Sequence, residues 1–416
     1  LSWVTQARLA PPEPGRRAGR DQALEGLRGV CACLVLYAHL TIPGRHLDPA
    51  FVPPTLLWWF NLGGFAVLFF FVLSGYVIGL TTREAATGAG VRRYLGRRIV
   101  RLVPVNAAAV LVAWAFWPRT PVHVVAGNLA FLQNFIPYPL GVSIPVMPDN
   151  LNLWSLNFEA LYYLGFIAVW WLAPRASWVA ILLVGVAGLS SSLPGSHFMA
   201  SSYAIGGLYW LAGLGAAWIL APSKRPGDWP SALLVVLVMW SLAPAEHLLF
   251  RIGVPDLVAP LPIPALHRID ELPMCLWLLL AVTGRGDAIR GRLSLLCLAM
   301  ASVGFLARVG GGSDMATGAL FLYGAALAAA WVLRGWSPRV SALSALAPLG
   351  SISFGIYALA FPIQFAVLRA GWLPNGTAWS YALRFALAAC LTLGMAWILE
   401  RKVQPGIRRR LGVGAS

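Results

Sequence analysis

Hydrophobic residues in this chain gather into long blocks with neither the alternation of a half-buried strand nor the single apolar stripe of a soluble helix. The blocks predict spans at 27–42, 60–80, 99–117, 153–172, 177–190, 203–220, 231–244, 272–283, 293–307, 316–333, 350–369 and 379–399. Crossing the hydrocarbon takes about 20 helical residues, so the short blocks 177–190, 231–244 and 272–283 leave the count at about ten to twelve. Backbone groups in lipid must satisfy one another, which permits helices or a closed barrel, and the missing alternation excludes the barrel. The pattern predicts an all-α polytopic integral membrane protein, a bundle of about 10–12 transmembrane helices with the lipid bilayer as its solvent.

Composition agrees. Hydrophobic residues make up 59% of the 416 positions and charged residues only 11%, against about 25% charge in a soluble domain. The net charge of +16 would suggest nucleic acid on a soluble protein, but its placement here reads as topology. With the N-terminus inside and every block crossing, about four times as many Lys and Arg residues fall inside as outside, the bias of the positive-inside rule. Both termini are expected in the cytoplasm of a bacterium, the chain sitting multi-pass in its inner membrane. The expected organisation is a basic, Pro-rich tail over 1–22, one transmembrane domain over 23–400 and a basic tail over 401–416. Two long Pro-rich connections, 118–152 and 245–271, fall outside and are expected to roof a cavity. The five cysteines all lie in apolar blocks and read as small hydrophobes; no metal site is predicted.

Polar residues that break the hydrophobic logic carry the candidate chemistry. The first block opens EGLRGVCACLVLYAH, with Arg28 at its cytoplasmic end and His39 near its outer end. Eleven residues span about 16 Å of helix axis and close to three turns, so the two share a face. Imidazole is the side chain best suited to take a proton near neutral pH, and His39 is the candidate general base; the plainer reading is an interfacial hydrogen bond. In WSLNFEALYY, Glu159 sits one to two turns below the outer surface, where a carboxylate needs a partner inside the bundle. Its depth sets it level with His39, whose imidazolium it would stabilise; a local hydrogen bond to Ser155, Tyr162 or Tyr163 is the alternative. The segment RRYLGRRIVRLVP puts Arg92, Arg93, Arg97, Arg98 and Arg101 at the start of the third block. Guanidinium forks match phosphate oxygens, which makes Arg28, Arg93, Arg97, Arg98 and Arg101 candidates for an anionic head group, with positive-inside anchoring as the plainer reading. Gly75 and Gly79 form a small-xxx-small step for close helix packing. The gap from Arg28 to His39 is comparable to a pantetheine arm of about 15 to 20 Å by bond counting, so the constellation suits acyl-CoA, its phosphates inside and its thioester presented toward the outer half.

EGLRG with its Arg28-to-His39 spacing, FFFVLSGYVIG, RRIVRLVP, WSLNFEALYY and GSISFGIYALAFP occur in this order over about 20–370. In this ordered set the chain resembles the acyltransferase family 3 membrane proteins, integral-membrane O-acyltransferases of polysaccharides, O-antigens, glycolipids and antibiotic sugars. The resemblance implies activity roles for Arg28, His39, Arg98, Arg101 and Glu159, acetyl-CoA as the donor, and a glycan, glycolipid or glycosylated metabolite as the acceptor. It also implies about ten membrane helices, and an enzyme that either stands alone, as a monomer or homo-oligomer, or relies on a separate extracytoplasmic partner. Two positions depart from the family's pattern: Glu25 stands where Asp is common, and Ala360 where many members carry a late histidine. The competing reading is a transporter or flippase of an anionic lipid or sugar conjugate, its arginines holding head groups; flux across vesicles without an acyl donor would identify it.

Overall fold

The computed structural model describes residues 17–41, 47–54, 57, 62–82, 86–133, 144–192, 199–220, 271–309, 324, 328 and 341–410. The expected span 231–244, all of 316–333 but residues 324 and 328, and all but the last residue of the connection 245–271 lie outside the described residues.

The described chain is helical, without a β-sheet. Its principal helices are α1 (Arg17–Thr41), α2 (Gly63–Thr81), α3 (Gly88–Phe116), α4 (Val122–Leu129), α5 (Trp154–Leu172), α6 (Ala176–Ser192), α7 (Met199–Ile219), α8 (Leu272–Thr283), α9 (Asp287–Val309), α10 (Ser353–Arg369) and α11 (Ala378–Ile398). A π-helical turn, Leu399–Val403, carries α11 into α12 (Gln404–Arg410). Four stretches among the described residues are long and apolar enough to cross a membrane, Gln22–Thr41, Gly63–Thr81, Gly88–Phe116 and Ala378–Arg410, while Ala176–Leu189, Leu272–Thr283 and Ser353–Arg369 are apolar but shorter. On α6 the large side chains Trp178, Ile181, Leu182 and Val184 are all more than half exposed, a surface that suits lipid rather than water.

Helix ends follow local chemistry. Thr87 caps α3 by accepting from the Gly90 amide at 3.1 Å, so the helix starts at Gly88, ahead of the edge expected at 99, and takes the arginine-rich segment into its first turns. α5 stops where Ala173 turns left-handed just before Pro174. A Pro at its first turn starts α8, and left-handed Gly284 ends it.

The chain divides into two compact units. One consists of Leu1–Leu24, Trp58–Arg83 and Pro174–Leu346, the other of Glu25–Leu57, Glu84–Ala173 and Ala347–Ser416. The first is organised on α2 against α7. A Cβ added to Gly75 would lie 1.9 Å from the Trp210 carbonyl oxygen, and one added to Gly213 would lie 1.9 Å from that of Val72. Small residues thus let the two backbones touch, Gly75 as expected and Gly213 as its counterpart on α7. Trp218 Nε1 donates to the Gly79 carbonyl at 2.9 Å. Arg285 donates to the Tyr76 hydroxyl at 3.0 Å and to the Leu220 carbonyl at 2.6 Å.

In the second unit α10 packs on α11, where a Cβ on Gly355 would meet Ala396 at 2.8 Å. The described part of connection 118–152 is ordered by amides. Asn106 Nδ2 donates to the Asn128 carbonyl at 2.9 Å, and Asn128 Nδ2 to the Pro145 carbonyl at 2.9 Å. Asp48 and Arg384, both buried, form an ion pair of 3.4 Å. The Arg384 guanidinium also donates to the carbonyls of Leu47 at 3.1 Å and Leu373 at 2.7 Å, tying two loops together.

Candidate functional site

The second unit holds every residue singled out above for chemistry. α1 carries Arg28 and His39 on one continuous helix, so their eleven-residue separation is about 16 Å of axis. The Arg28 end is fixed by backbone contact. A Cβ on Gly350 would lie 1.7 Å from the Glu25 carbonyl oxygen, and one on Gly29 would lie 2.6 Å from the Gly350 nitrogen. Only glycine fits, so EGLRG and GSISFG, from opposite ends of the chain, fold against each other. Arg28 is buried, and its Nη1 meets Glu25 Oε1 at 2.7 Å.

α3 contributes Tyr94, Arg98 and Arg101, which share a face at spacings of three and four. The Arg98 guanidinium lies 5.2 Å from the Tyr94 ring centre and 5.1 Å from that of Tyr163. Tyr94 is fully buried, packs on Phe166 and Trp170, and donates its hydroxyl to the Tyr163 carbonyl at 3.2 Å. Two rings of fixed position therefore orient a planar cation that a water-exposed arginine would leave mobile. The Tyr163 hydroxyl donates to Glu159. Arg101 lies within electrostatic reach of Glu159, Tyr163, Glu25 and Glu400, and Glu400 within reach of Arg101 and Arg28. Three guanidinium groups and three carboxylates thus meet at one end of the unit.

The five arginines named from the sequence are thereby sorted. Arg28, Arg98 and Arg101 join the cluster; Arg93 is exposed and Arg97 half-buried on the adjoining strip of α3. For Glu159, the structure supplies the local alternative, a hydrogen bond from Tyr163, and adds the field of Arg101.

His39 lies against α10. Its ring centre is 4.3 Å from that of Phe361, and its carbonyl accepts from Gln364 Nε2 at 3.0 Å. Gln364 is fully buried, and its Oε1 has no hydrogen-bond partner among the described residues. Ala360, at the place of the late histidine, is fully buried in the packed helix. A polar seam joins the start of α5 to α10: Ser155 Oγ donates to the Tyr357 hydroxyl at 2.6 Å, Asn152 Nδ2 to the Tyr357 carbonyl at 2.9 Å, and Asn150 Nδ2 to the Ala358 carbonyl at 3.1 Å. Tyr94, Gln364, Glu400 and Gln404 escape a reading of the sequence. A signal existed for Glu400, the only acidic residue after Asp314.

A sequence profile described as an acyltransferase domain matches residues 21–401. Acyltransferase MdmB of Streptomyces mycarofaciens is 27% identical over 196 residues, which is 45% of this chain and 48% of that protein. The chain thus spans about half the length of the curated relative it matches. No solved structure matches.

Proposed function

The chain belongs to the acyltransferase family whose profile covers residues 21–401, and we propose that it is an acyltransferase that carries an acyl group from cytosolic acyl-CoA to a hydroxyl on the far side of the bacterial inner membrane. Acetyl is the group proposed, and a glycan, a glycolipid or a glycosylated metabolite the acceptor. One observation carries the reading: a single helix joins Arg28, inside a cluster of oriented cations, to His39, about 16 Å away.

Arg28, Arg98 and Arg101 receive the donor's phosphates, with Arg93 and Arg97 lining the approach. Arginine suits this task because its planar fork pairs with two phosphate oxygens at once. The pantetheine arm then runs along α1, and its length of about 15 to 20 Å brings the thioester to the level of His39. The imidazole takes the proton from the acceptor hydroxyl, and the oxygen attacks the thioester carbonyl carbon. The tetrahedral adduct collapses with a C–O bond formed and the C–S bond broken, and the leaving sulfur takes the proton back from the imidazolium. Products are an ester and free CoA, with His39 neutral again. Glu159 and Tyr163 serve the arginine end, holding Arg101 and Arg98 in register.

The test is mass spectrometry of cell-surface glycans and small glycosides from cells with and without the protein. A product heavier by one acyl group, present only with the protein, is expected. Identical profiles, together with transport of a sugar conjugate across vesicles lacking any acyl donor, would overturn the reading.

A further inference from the structure

After Ile398 the sequence turns from an apolar helix to a basic tail, with Arg401, Lys402, Arg408, Arg409 and Arg410 in quick succession. Such a tail reads as a membrane-side anchor. Glu400 does not fit that reading, since a carboxylate beyond the last turn of α11 gains nothing from the helix dipole and sits among cations that anchoring alone would favour. The helix does not end there either. It widens into the π-helical turn Leu399–Val403 before continuing as α12, and π turns inside helices gather at functional sites.

The turn aims two side chains at one residue. Glu400 and Gln404 are four apart and share a helix face. Gln404 is buried, and its Nε2 donates to the Arg101 carbonyl at 2.8 Å. Glu400 lies by the Gly355 amide and within electrostatic reach of Arg101 and Arg28, while its Oε2 is buried with no hydrogen-bond partner among the described residues. Buried acceptors are rarely left unmade without a reason, and this one lies among guanidinium groups. By contrast Arg401 and Lys402 are exposed, with Lys402 lying over the Trp397 ring.

We propose that Glu400 and Gln404 are positioning residues for the acyl donor: the π turn folds the C-terminal segment into the donor site, where Gln404 fixes the backbone of Arg101 and Glu400 sets the direction of the Arg101 and Arg28 guanidinium groups. The proposal rests on the reading of the arginine cluster as the donor site. It makes the C-terminal segment part of the catalytic unit rather than a tail.

Steady-state kinetics with acetyl-CoA on purified protein in lipid nanodiscs tests it. Glu400→Gln is expected to raise KM for acetyl-CoA about tenfold, equivalent to about 1.4 kcal/mol, with kcat within about twofold; Glu400→Asp recovers most of the loss. A folded E400Q protein with the wild-type KM, or one whose loss lies wholly in kcat, overturns the proposal. Should E400Q fail to fold, Gln404→Ala decides: a raised KM supports positioning, and a wild-type KM overturns it. Arg101→Ala separates the two levels of argument. If R101A raises KM and the Glu400 and Gln404 variants do not, the positioning role alone fails; if R101A also keeps the wild-type KM, the donor-site reading fails first.

Discussion

Tyr163 donates its hydroxyl to Glu159 one turn earlier on α5, and the same ring forms one face of the slot that holds Arg98. This pairing ties the carboxylate to the arginine end of the unit. The carboxylate that accepts from this phenol also lies within electrostatic reach of Arg101, so Glu159, Tyr163, Arg98 and Arg101 form one connected group.

A first prediction follows for Glu159→Gln. The neutral amide keeps the shape and loses the charge facing Arg101, so the loss should fall on acyl-CoA affinity, with KM rising about tenfold and kcat changing less. Kinetics at varied acyl-CoA concentration check it. A kcat loss at unchanged KM would instead put Glu159 beside the reacting proton.

The pair Asp48–Arg384 predicts a stability effect. Both side chains are almost completely buried, at 0% and 2% exposure, and the arginine also holds the carbonyls of Leu47 and Leu373. Arg384→Ala leaves a buried carboxylate without its cation, which costs about 3 to 5 kcal/mol. Denaturation of the purified protein in detergent should show this loss; a stability equal to wild type would mean that water reaches Asp48.

Contact between α2 and α7 predicts a graded series. Gly75→Ala places a methyl 1.9 Å from a carbonyl oxygen and forces the helices apart, at about 1 to 3 kcal/mol for overpacking. Gly79→Ala meets the Ala217 methyl at 2.7 Å and Leu214 at 3.2 Å, with no backbone atom closer than 3.3 Å, and should cost less; Gly88→Ala points into open space. The order of thermal midpoints, G88A above G79A above G75A, checks the packing, and equal midpoints for all three would contradict it.

Much of this fold is legible in the sequence because apolar blocks in a chain so poor in charge have few alternatives. The blocks at 60–80, 153–172 and 272–283 became α2, α5 and α8 within three residues at every edge. Edges failed where charged residues stay helical, as in α3, whose Thr87 cap lies twelve residues before the expected start. α11 likewise runs on through Glu400. In the site, Arg28, His39, Arg98, Arg101 and Glu159 stand out because an ionisable group in an apolar block needs a reason. Their partners were less visible. Depth along a helix sets the level of a residue but not its direction, so the level of Glu159 could not say that it faces Tyr163 and Arg101. The contact of Gly350 with Glu25, and the return of Glu400 and Gln404 to Arg101, join segments hundreds of residues apart, and no local pattern records them.

The division of labour proposed along α1, donor binding at Arg28 and proton removal at His39, is tested most directly by measuring acetyl-CoA binding and acetyl transfer side by side on His39→Ala protein in nanodiscs. Wild-type affinity for the donor with transfer reduced by about a thousandfold, within the range for removing a general base, is the expected result. Transfer at the wild-type rate would contradict the account, and so would loss of donor binding in a folded H39A protein.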